Sequence, residues 1–330
     1  MTGTLAPELV VRVNGHHSAW PAKFGSHGPY EAEVGYSPYR LANTSISLIV
    51  RQGGDVLLHV LVDVGLGVVN SLLELQQASG IDRVDAVVLT HPHFDHVAGL
   101  DWLLASCSRS TVIGQPWPLP VHCTNAAFES VFGGHGLFHW WRKSVDFRPV
   151  NAKIASDIEG RAGSRLRLSA VPVEHGPTAP GAVIYSVDFE SPTGRRRIGI
   201  AWDMLRLLPD ADPKPMFGCD LLFVDSTTVH PQPDVKNPAS HRNWHISIEE
   251  SLALTAPWRP ARTYLIHYGG SHDDDPPAHD CTIPGVTRAL THYELEQLAL
   301  ELGPRVGRDL CVADHGLVIP DLQQWPMQTA

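Results

Sequence analysis

The sequence predicts an α/β fold built from layers of strands and helices. Segments typical of β-strands alternate along the whole chain with segments in which apolar residues have helical spacing. The 330 residues are 43% hydrophobic and 18% charged, a composition that can fill a large core and argues against disorder. No linker-like tract and no repeat of fixed period divides the chain. We therefore expect a single domain over residues 1–330.

The first predicted elements form a hairpin that leads into alternating helices and strands. A Gly-Gly turn separates an alternating segment from an apolar one, which predicts two paired strands. Gly80 ends the helix that follows, as glycine often does at a helix C-terminus. In chain order these elements are strands Thr44–Arg51 and Val56–Val64, helix Val68–Ala78, strand Val84–Thr90 and helix His96–Ala105.

The later part of the chain continues the alternation. The turn Ser191–Gly194 joins two of the predicted strands. The strands are Leu166–Glu174, Ala182–Phe189, Arg197–Trp202, Asp220–Asp225, Thr263–His267, Leu310–Val312 and Gly316–Ile319, and the helices are Ile248–Leu254 and Val286–Leu302. Three long segments with little periodicity, Gly15–Arg40, Gly114–Asn151 and Asp225–Asn243, are candidate walls of a pocket.

Composition narrows the classes of function. The net charge of −10 argues against binding to a long nucleic acid, which requires many Lys and Arg residues at the phosphates. The chain has no run of 18 apolar residues, so the sequence predicts no membrane-spanning helix, and the first residues do not resemble a signal peptide. The five cysteines are far apart, which indicates reduced thiols and a cytoplasmic protein. The 19 histidines point to metal binding.

The strongest motif is His91-Pro92-His93-Phe94-Asp95-His96, between a buried strand and a helix. His91 and His93 are two residues apart in an extended stretch, so their side chains project to one side. Asp95 and His96 come where the chain turns into the helix, so they can reach a second point. This one turn can therefore supply ligands to two neighbouring metal ions.

This motif resembles the HxHxDH signature of the metallo-β-lactamase superfamily, which follows a β-strand. Other segments are similar to further landmarks of that family, in the same order: Val60–Gly65, Val173–Pro177, Ile198–Asp203 and Tyr264–His267. The resemblance implies an αββα sandwich, in which two mixed sheets face each other with helices outside and metals at one edge.

The resemblance also implies a ligand set. His91, His93 and His175 would hold one ion, Asp95, His96 and His267 the other, and Asp203 would bridge them. Asp63 and Asp225 would support these ligands from behind, although Asp225 is also an alternative bridge. His245 and His272 are alternatives to His267. We expect two divalent ions, with Zn²⁺ favoured and Mn²⁺ or Fe²⁺ also compatible with histidine and aspartate ligands.

The segment Asn243–Ser247 resembles the His-x-Ser/Thr segment of the phosphodiesterase branch of the family, which includes tRNase Z and the phosphonate-pathway cyclic phosphodiesterases. The resemblance implies that Asp95 and His245 are catalytic, with His245 assisting the leaving oxygen. The turn Val13–Pro21 is similar to a glycine-rich turn of the same branch, but it carries two histidines where small residues are usual. A binuclear hydrolase of a small or cyclic phosphate diester is therefore the leading interpretation, with a metal-bound hydroxide as the nucleophile.

Two other functions remain open. A lactonase or another ester or amide hydrolase would use the same metal ligands, and a non-catalytic metal-binding protein would use them without turnover. A His245 side chain directed at the metals would favour phosphate, whereas Trp140 or Trp141 in an apolar pocket would favour an acyl substrate. Gly133–Trp141 is either a lid or a loop packed on the core, and Arg195–Arg197 is either a phosphate-attracting group or a solvated hairpin end. The family resemblance also implies a small-molecule substrate and allows a homodimer.

Overall fold

The computed structural model describes residues 5–19, 42–227, 245–268 and 290–319. Two mixed β-sheets contain most of its strands. The first sheet has the strand order β15-β1-β2-β3-β4-β5-β6. These strands are β1 (Glu8–Gly15), β2 (Ser45–Gln52), β3 (Asp55–Val62), β4 (Ala86–Val88), β5 (Leu119–Cys123), β6 (Val145–Pro149) and β15 (Val318–Ile319).

The second sheet has the order β11-β8-β9-β10-β12-β13-β14, with β7 paired to β8. Its strands are β7 (Ser156–Glu159), β8 (Arg165–Glu174), β9 (Val183–Ser191), β10 (Gly194–Ala201), β11 (Arg206–Leu207), β12 (Leu221–Asp225), β13 (Arg262–Ile266) and β14 (Leu310–Val312). In each sheet the first three pairings along the stated order are antiparallel and the last three are parallel.

Helices cover the outer faces of both sheets. They are α1 (Val68–Ser79), α2 (Phe94–Val97), α3 (Leu100–Cys107), α4 (Asn125–Phe132), α5 (Ile248–Leu254) and α6 (His292–Val306). One apolar cluster joins α3 and α4 to the first sheet, and another joins α5 and α6 to the second. The largest cluster lies between the sheets and includes Leu48, Tyr185 and Phe223, all fully buried. The predicted αββα sandwich is confirmed.

The hairpin and the helix after it begin and end close to their predicted positions, but other elements differ from the prediction. The predicted helix His96–Ala105 is two helices, because the chain bends at Ala98 and Gly99 between α2 and α3. The predicted helix Val286–Leu302 begins only at His292, where Thr291 and Glu294 form a capping box. The segment Gly114–Asn151 is not one long loop: it contains β5, α4 and β6.

Strand β1 was not predicted either, although it pairs with both β2 and β15. In the part of the chain that the structure describes, no helix is long and apolar enough to cross a membrane.

Candidate metal centre

The side chains of the predicted ligand set come from the ends of strands that meet at one edge of the sandwich. His91 follows β4, His175 directly follows β8, and His267 directly follows β13. Asp203 comes two residues after β10. The parallel strands of a sheet all end at the same edge, so their terminal residues converge there. All four of these side chains are buried.

The backbone is strained at two of these positions and at Asp63, the residue that follows β3. Asp63, Asp203 and His267 have φ angles of 56°, 55° and 63°, in the left-handed region that side chains other than glycine rarely adopt. Such strain persists only where the surrounding structure holds it, and it is concentrated at functional sites. Here it turns the chain sharply at the strand end, so that each side chain points back to the common edge.

The seven predicted ligands form overlapping groups. His91, His93 and His175 offer ligand atoms that lie within 4.8 Å of one another, and so do Asp95, His96 and His267. Asp203 lies between the two groups: its Oδ1 is 3.5 Å from His175 Nε2 and 3.2 Å from His267 Nε2, and its Oδ2 is 3.1 Å from His96 Nε2. This arrangement matches two three-ligand sites that share one carboxylate.

Each of four histidine rings is oriented by a hydrogen bond to one nitrogen. The Nδ1 atoms of His91, His96 and His267 lie 3.0, 2.8 and 2.9 Å from Thr90 Oγ1, Asp63 Oδ2 and Thr227 Oγ1. His93 is held through Nε2, 2.9 Å from Thr178 Oγ1. A metal-binding histidine commonly uses its second nitrogen in this way, which fixes the tautomer and aims the other nitrogen at the ion.

The nitrogens on the opposite side of these rings lie close to one another and to the carboxylates of Asp95 and Asp203. Among the described residues, His91 Nε2, His96 Nε2 and Asp203 Oδ2 are buried atoms without a hydrogen-bond partner. His175 Nε2 and His93 Nδ1 are only 3.1 Å apart. Buried polar atoms are nearly always satisfied, so such atoms grouped at one point fit a site for a metal ion. Five imidazoles and two carboxylates fit divalent zinc, manganese or iron.

The carboxylates are held in the charged form. Burial alone would raise the pKa of Asp95, but the charge of His96 and a hydrogen bond from His267 keep that pKa well below its ordinary value. Burial also acts on Asp203, and there His267 and His96 lower the pKa to about 2. Buried negative charge requires positive charge beside it, which metal ions supply.

The histidines divide into two kinds. Burial and the neighbouring rings hold the pKa of His91 well below its usual value, and burial lowers the pKa of His93 to about 4. Burial has the same effect on His96, but the charges of Asp203, Asp95 and Asp63 raise its pKa well above normal. The histidines around His91 are therefore suited to bind an ion as neutral imidazoles, whereas the group around His96 contains the negatively charged carboxylates.

His245 lies at this centre, on the residues that lead into α5. Its Nδ1 atom is 2.7 Å from Asp225 Oδ2 and 3.7 Å from Asp203 Oδ1. Its ring lies 4.9 Å from that of His175, measured between centroids. The His245 side chain is 8% exposed, against 0% for His175 and 1% for His267. It therefore lies beside the cluster with its ring largely buried.

Sequence reasoning missed Thr90, Trp202 and Thr227, which hold the centre in place. Asp63 Oδ2 accepts hydrogen bonds from Thr90 Oγ1 at 2.7 Å and from Trp202 Nε1 at 3.0 Å, besides its contact with His96. Thr227 Oγ1 donates to Asp225 Oδ1 at 2.7 Å. Hydroxyl and indole groups carry no metal-ligand signature, so only their positions beside Asp63 and Asp225, the two predicted supporting carboxylates, could have indicated them.

The other predicted features are the turn Val13–Pro21 and His272. The turn after β1 runs beside the residue that follows His267, because Tyr268 N donates to His16 O at 3.1 Å and Ser18 N donates to Tyr268 O at 3.3 Å. Residues 20 and 21 of that turn and His272 lie outside the described residues.

The aromatic loop at 133–141 is anchored on α3. Trp140 Nε1 and Trp141 Nε1 both donate to Asp101 Oδ1, at 3.2 and 2.6 Å. Arg195 and Arg197 bond the carboxylate of Asp188 at 2.6 and 2.8 Å. These contacts fit a loop packed on the core and a hairpin end paired with its own acid, which are the simpler of the two interpretations given for each segment.

Comparisons with known proteins agree with the fold. The family model described as "Beta-lactamase superfamily domain" matches residues 59–268. Among curated proteins, a ribonuclease Z from Bradyrhizobium sp. (strain ORS 278) is 24% identical in an alignment of length 269 that covers 69% of this chain and 85% of that protein.

Two solved structures show the same fold at low sequence identity. A diphosphatase from the PhnP family has a TM-score of 0.61 and 20% identity, covering 94% of this chain and 97% of its own. The short form of human tRNase Z has a TM-score of 0.53 and 16% identity, covering 94% of this chain and 99% of its own.

Proposed function

This chain belongs to the beta-lactamase superfamily, and from that premise we propose that it is a two-metal phosphodiesterase acting on a small or cyclic phosphate diester. His91, His93 and His175 would hold one ion, and Asp95, His96 and His267 the other, with Asp203 between them. The curated relative named ribonuclease Z and the solved diphosphatase make phosphate ester chemistry a reasonable starting point. The net charge of −10 favours a small substrate over a long RNA.

One observation carries the choice of phosphate: His245 lies beside the centre and is bonded to a buried carboxylate. Burial would raise the pKa of Asp225, but the charge of His245 and hydrogen bonds from His245 and His267 hold that pKa far below its ordinary range. The Asp225 carboxylate accepts a hydrogen bond from His245 Nδ1 and fixes the orientation of the ring. An imidazole held in this way is suited to donate a proton to a departing alkoxide, which is general-acid catalysis.

The protein groups then have distinct tasks. When bound, two divalent ions supply an activated water and stabilise charge on phosphoryl oxygens. Asp63 and Thr227 keep the His96 and His267 rings aimed at the centre through bonds of 2.8 and 2.9 Å to their Nδ1 atoms. Asp225 accepts from His245 Nδ1 at 2.7 Å, so the other nitrogen of that ring would deliver the proton to the leaving oxygen. A poor leaving group needs that proton more than a good one does.

The test uses His245→Ala and two diesters that differ in the leaving alcohol. Metal-loaded protein is given p-nitrophenyl methyl phosphate, which has a good leaving group, and dimethyl phosphate, which has a poor one. We expect turnover of the poor leaving groups to fall about 100- to 10,000-fold and that of the nitrophenyl ester much less. His139→Ala is the matched control, because His139 is an exposed histidine outside the centre.

Metal content is measured for each variant, so that loss of ions is separated from loss of a proton donor. Equal losses on both kinds of diester would remove His245 from the acid role. Turnover of lactones or a β-lactam without any diester cleavage would move the assignment to acyl chemistry. Stable metal uptake with no turnover of any substrate would identify a metal-binding protein.

A further inference from the structure

Two large apolar side chains are exposed on residues next to the contact between Gly65 and Asp95. Phe94 is 57% exposed, although its neighbours Asp95, His96 and Val97 in α2 are buried. Leu66 is 48% exposed. An exposed apolar pair beside a polar site marks a binding surface more often than scattered exposed residues do. We call these two side chains the Phe94–Leu66 shelf.

The backbone fixes the shelf relative to the ligands. Phe94 lies in sequence between His93 of one ligand group and Asp95 of the other. A Cβ atom added to Gly65 would lie 1.8 Å from Asp95 O, so only glycine allows this close approach of the two chain segments. Leu66 and Phe94 are each one residue away from that contact and therefore flank Asp95.

Further backbone bonds make the shelf rigid. Val64 N donates to His96 O at 2.7 Å, and Gly99 N donates to Val64 O at 2.8 Å, which ties the Leu66 loop to the C-terminal part of α2 and to the turn after it. Leu66 N also donates to Asn43 Oδ1 at 2.8 Å. A surface held in this way loses little conformational freedom when a ligand packs on it.

The charge of this region limits what the shelf can bind. Residues 63–67 and 90–99, which carry the Phe94–Leu66 shelf, include no Lys or Arg. They therefore offer no such cation to a second phosphate or to the backbone of a nucleic acid. The one negative charge of a diester would be met at the centre itself. The group left to contact the Phe94–Leu66 shelf is the uncharged ester group. An aromatic ring there would pack well on the Phe94 ring and on an aliphatic side chain.

We propose that the Phe94–Leu66 shelf receives the ester group that is retained during the reaction, and that it selects an aryl or other planar apolar group there. This inference rests on the proposed phosphodiesterase function. It assigns to Phe94 a role in specificity and none in the chemical step.

Two substrates with one leaving group test the proposal. p-Nitrophenyl phenyl phosphate and p-nitrophenyl methyl phosphate release the same alcohol, so they differ only in the group that would meet the shelf. In Phe94→Ala we expect KM for the phenyl ester to rise about tenfold, with little change for the methyl ester and with kcat of both retained. Leu66→Ala should show a smaller effect in the same direction, and Phe94→Tyr should keep the preference.

Binding without turnover provides a second readout. Diphenyl phosphate and dimethyl phosphate are titrated into metal-loaded protein by calorimetry, and the preference for the diphenyl ester should fall in Phe94→Ala. Leu73→Ala, an exposed leucine on α1, is the control and should change neither measurement. If no diester is hydrolysed but this binding preference depends on Phe94, the shelf stands and the proposed function fails.

Equal effects of Phe94→Ala on both esters, or a loss of bound metal, would show that Phe94 supports the ligands and would overturn the proposal. An unchanged phenyl preference in both Phe94→Ala and Leu66→Ala would overturn it as well.

Discussion

Among the buried clusters in the described part of the chain, two that contain histidine differ in how their polar atoms are satisfied. At the candidate metal centre, ring nitrogens and a carboxylate oxygen face one another and lack hydrogen-bond partners among the described residues. Beneath α1, His59 is equally buried, but both of its ring nitrogens are bonded: Nδ1 donates to Arg83 O at 2.6 Å, and Nε2 accepts from Ser47 Oγ at 2.8 Å.

The His59 cluster continues as a closed network. Arg12 Nη1 donates to Asn14 Oδ1 at 2.7 Å and to Ser71 Oγ at 2.8 Å. Asn14 Nδ2 donates to Ser47 Oγ at 3.0 Å. These contacts join β1 and β2 to α1 through polar atoms that already have partners. Such a network contributes to structure and leaves no valence for an ion.

The comparison shows that burial of a histidine is not evidence of metal binding. What separates the two clusters is the direction of the unused lone pairs. At the centre they converge on common points, whereas around His59 each one is used. The two clusters should therefore respond to mutation in opposite ways: the centre should lose metal and activity, and the His59 network should lose stability.

The largest effect is expected at Asp203. In Asp203→Asn the amide keeps the shape but offers one neutral oxygen to two ligand groups. Replacing a partner that only orients a ligand costs about 10- to 100-fold in metal affinity or activity, so loss of a shared ligand should exceed about 100-fold. Metal analysis and diester turnover measure this. Activity within tenfold of the parent would show that Asp203 does not bridge.

A second large effect is expected at His59, but on stability. His59→Ala leaves a cavity and removes the partners of Arg83 O and Ser47 Oγ, which should lower the free energy of unfolding by about 3 kcal/mol. Metal content and turnover of the folded protein should match the parent. Denaturant unfolding and metal analysis of one sample test both statements, and a loss of bound metal would break the distinction between the clusters.

A smaller effect is expected from pH. Burial and the charge of Arg12 lower the pKa of His59 to about 4, against an ordinary value of 6.5. A histidine whose pKa is lowered by folding stabilises the protein above the unfolded pKa, and this contribution is lost as pH falls below it. Between pH 7.5 and 5.5 the loss attributable to His59 should be about 1 kcal/mol.

The measurement compares unfolding of the parent and of His59→Gln at the two pH values. The pH dependence that the variant lacks is the part due to His59, because all other titrating groups are common to both proteins. Identical pH dependence in the two proteins would show that the His59 ring takes up its proton with the fold intact.

The smallest effect is expected at Trp202, which is connected to the centre through Asp63. Trp202→Phe keeps most of the buried ring but removes the Nε1 donor to Asp63 Oδ2 at 3.0 Å. Because Asp63 keeps its bonds to Thr90 and His96, metal affinity should fall by tenfold or less. Competition with a chromogenic chelator measures this, and a loss as large as that of Asp203→Asn would make Trp202 a principal support.

The sequence indicated the candidate centre more fully than it indicated the fold. Four ligands in the six residues from His91 to His96 are a dense local signal, and His175, Asp203 and His267 each stand at the end of an apolar strand. A metal site of this kind can be predicted from the types of residue and their positions in the sequence. The structure brings all seven together at one edge of the sandwich.

Elements without such a signal were missed. Strand β1 is VVRVN in its centre and buries Arg12 and Asn14, so its apolar alternation is interrupted by residues whose partners are distant in sequence. Helix α4 is capped by Thr124 but has only eight residues, which gives too few turns for periodicity to be recognised. The roles of Thr90 and Thr227 depend on contacts between segments that only the folded chain brings together.

The left-handed backbone at Asp63, Asp203 and His267 has an evolutionary consequence. Glycine would relieve about 1–3 kcal/mol of strain at each position, and each time it would delete a group of the centre. Under the proposed function, selection for an ion bound at the centre keeps these side chains in place. In lineages that have abandoned the ion, we expect glycine to accumulate at these three strand ends before the rest of the sandwich changes, and related sequences can be inspected for that order of loss.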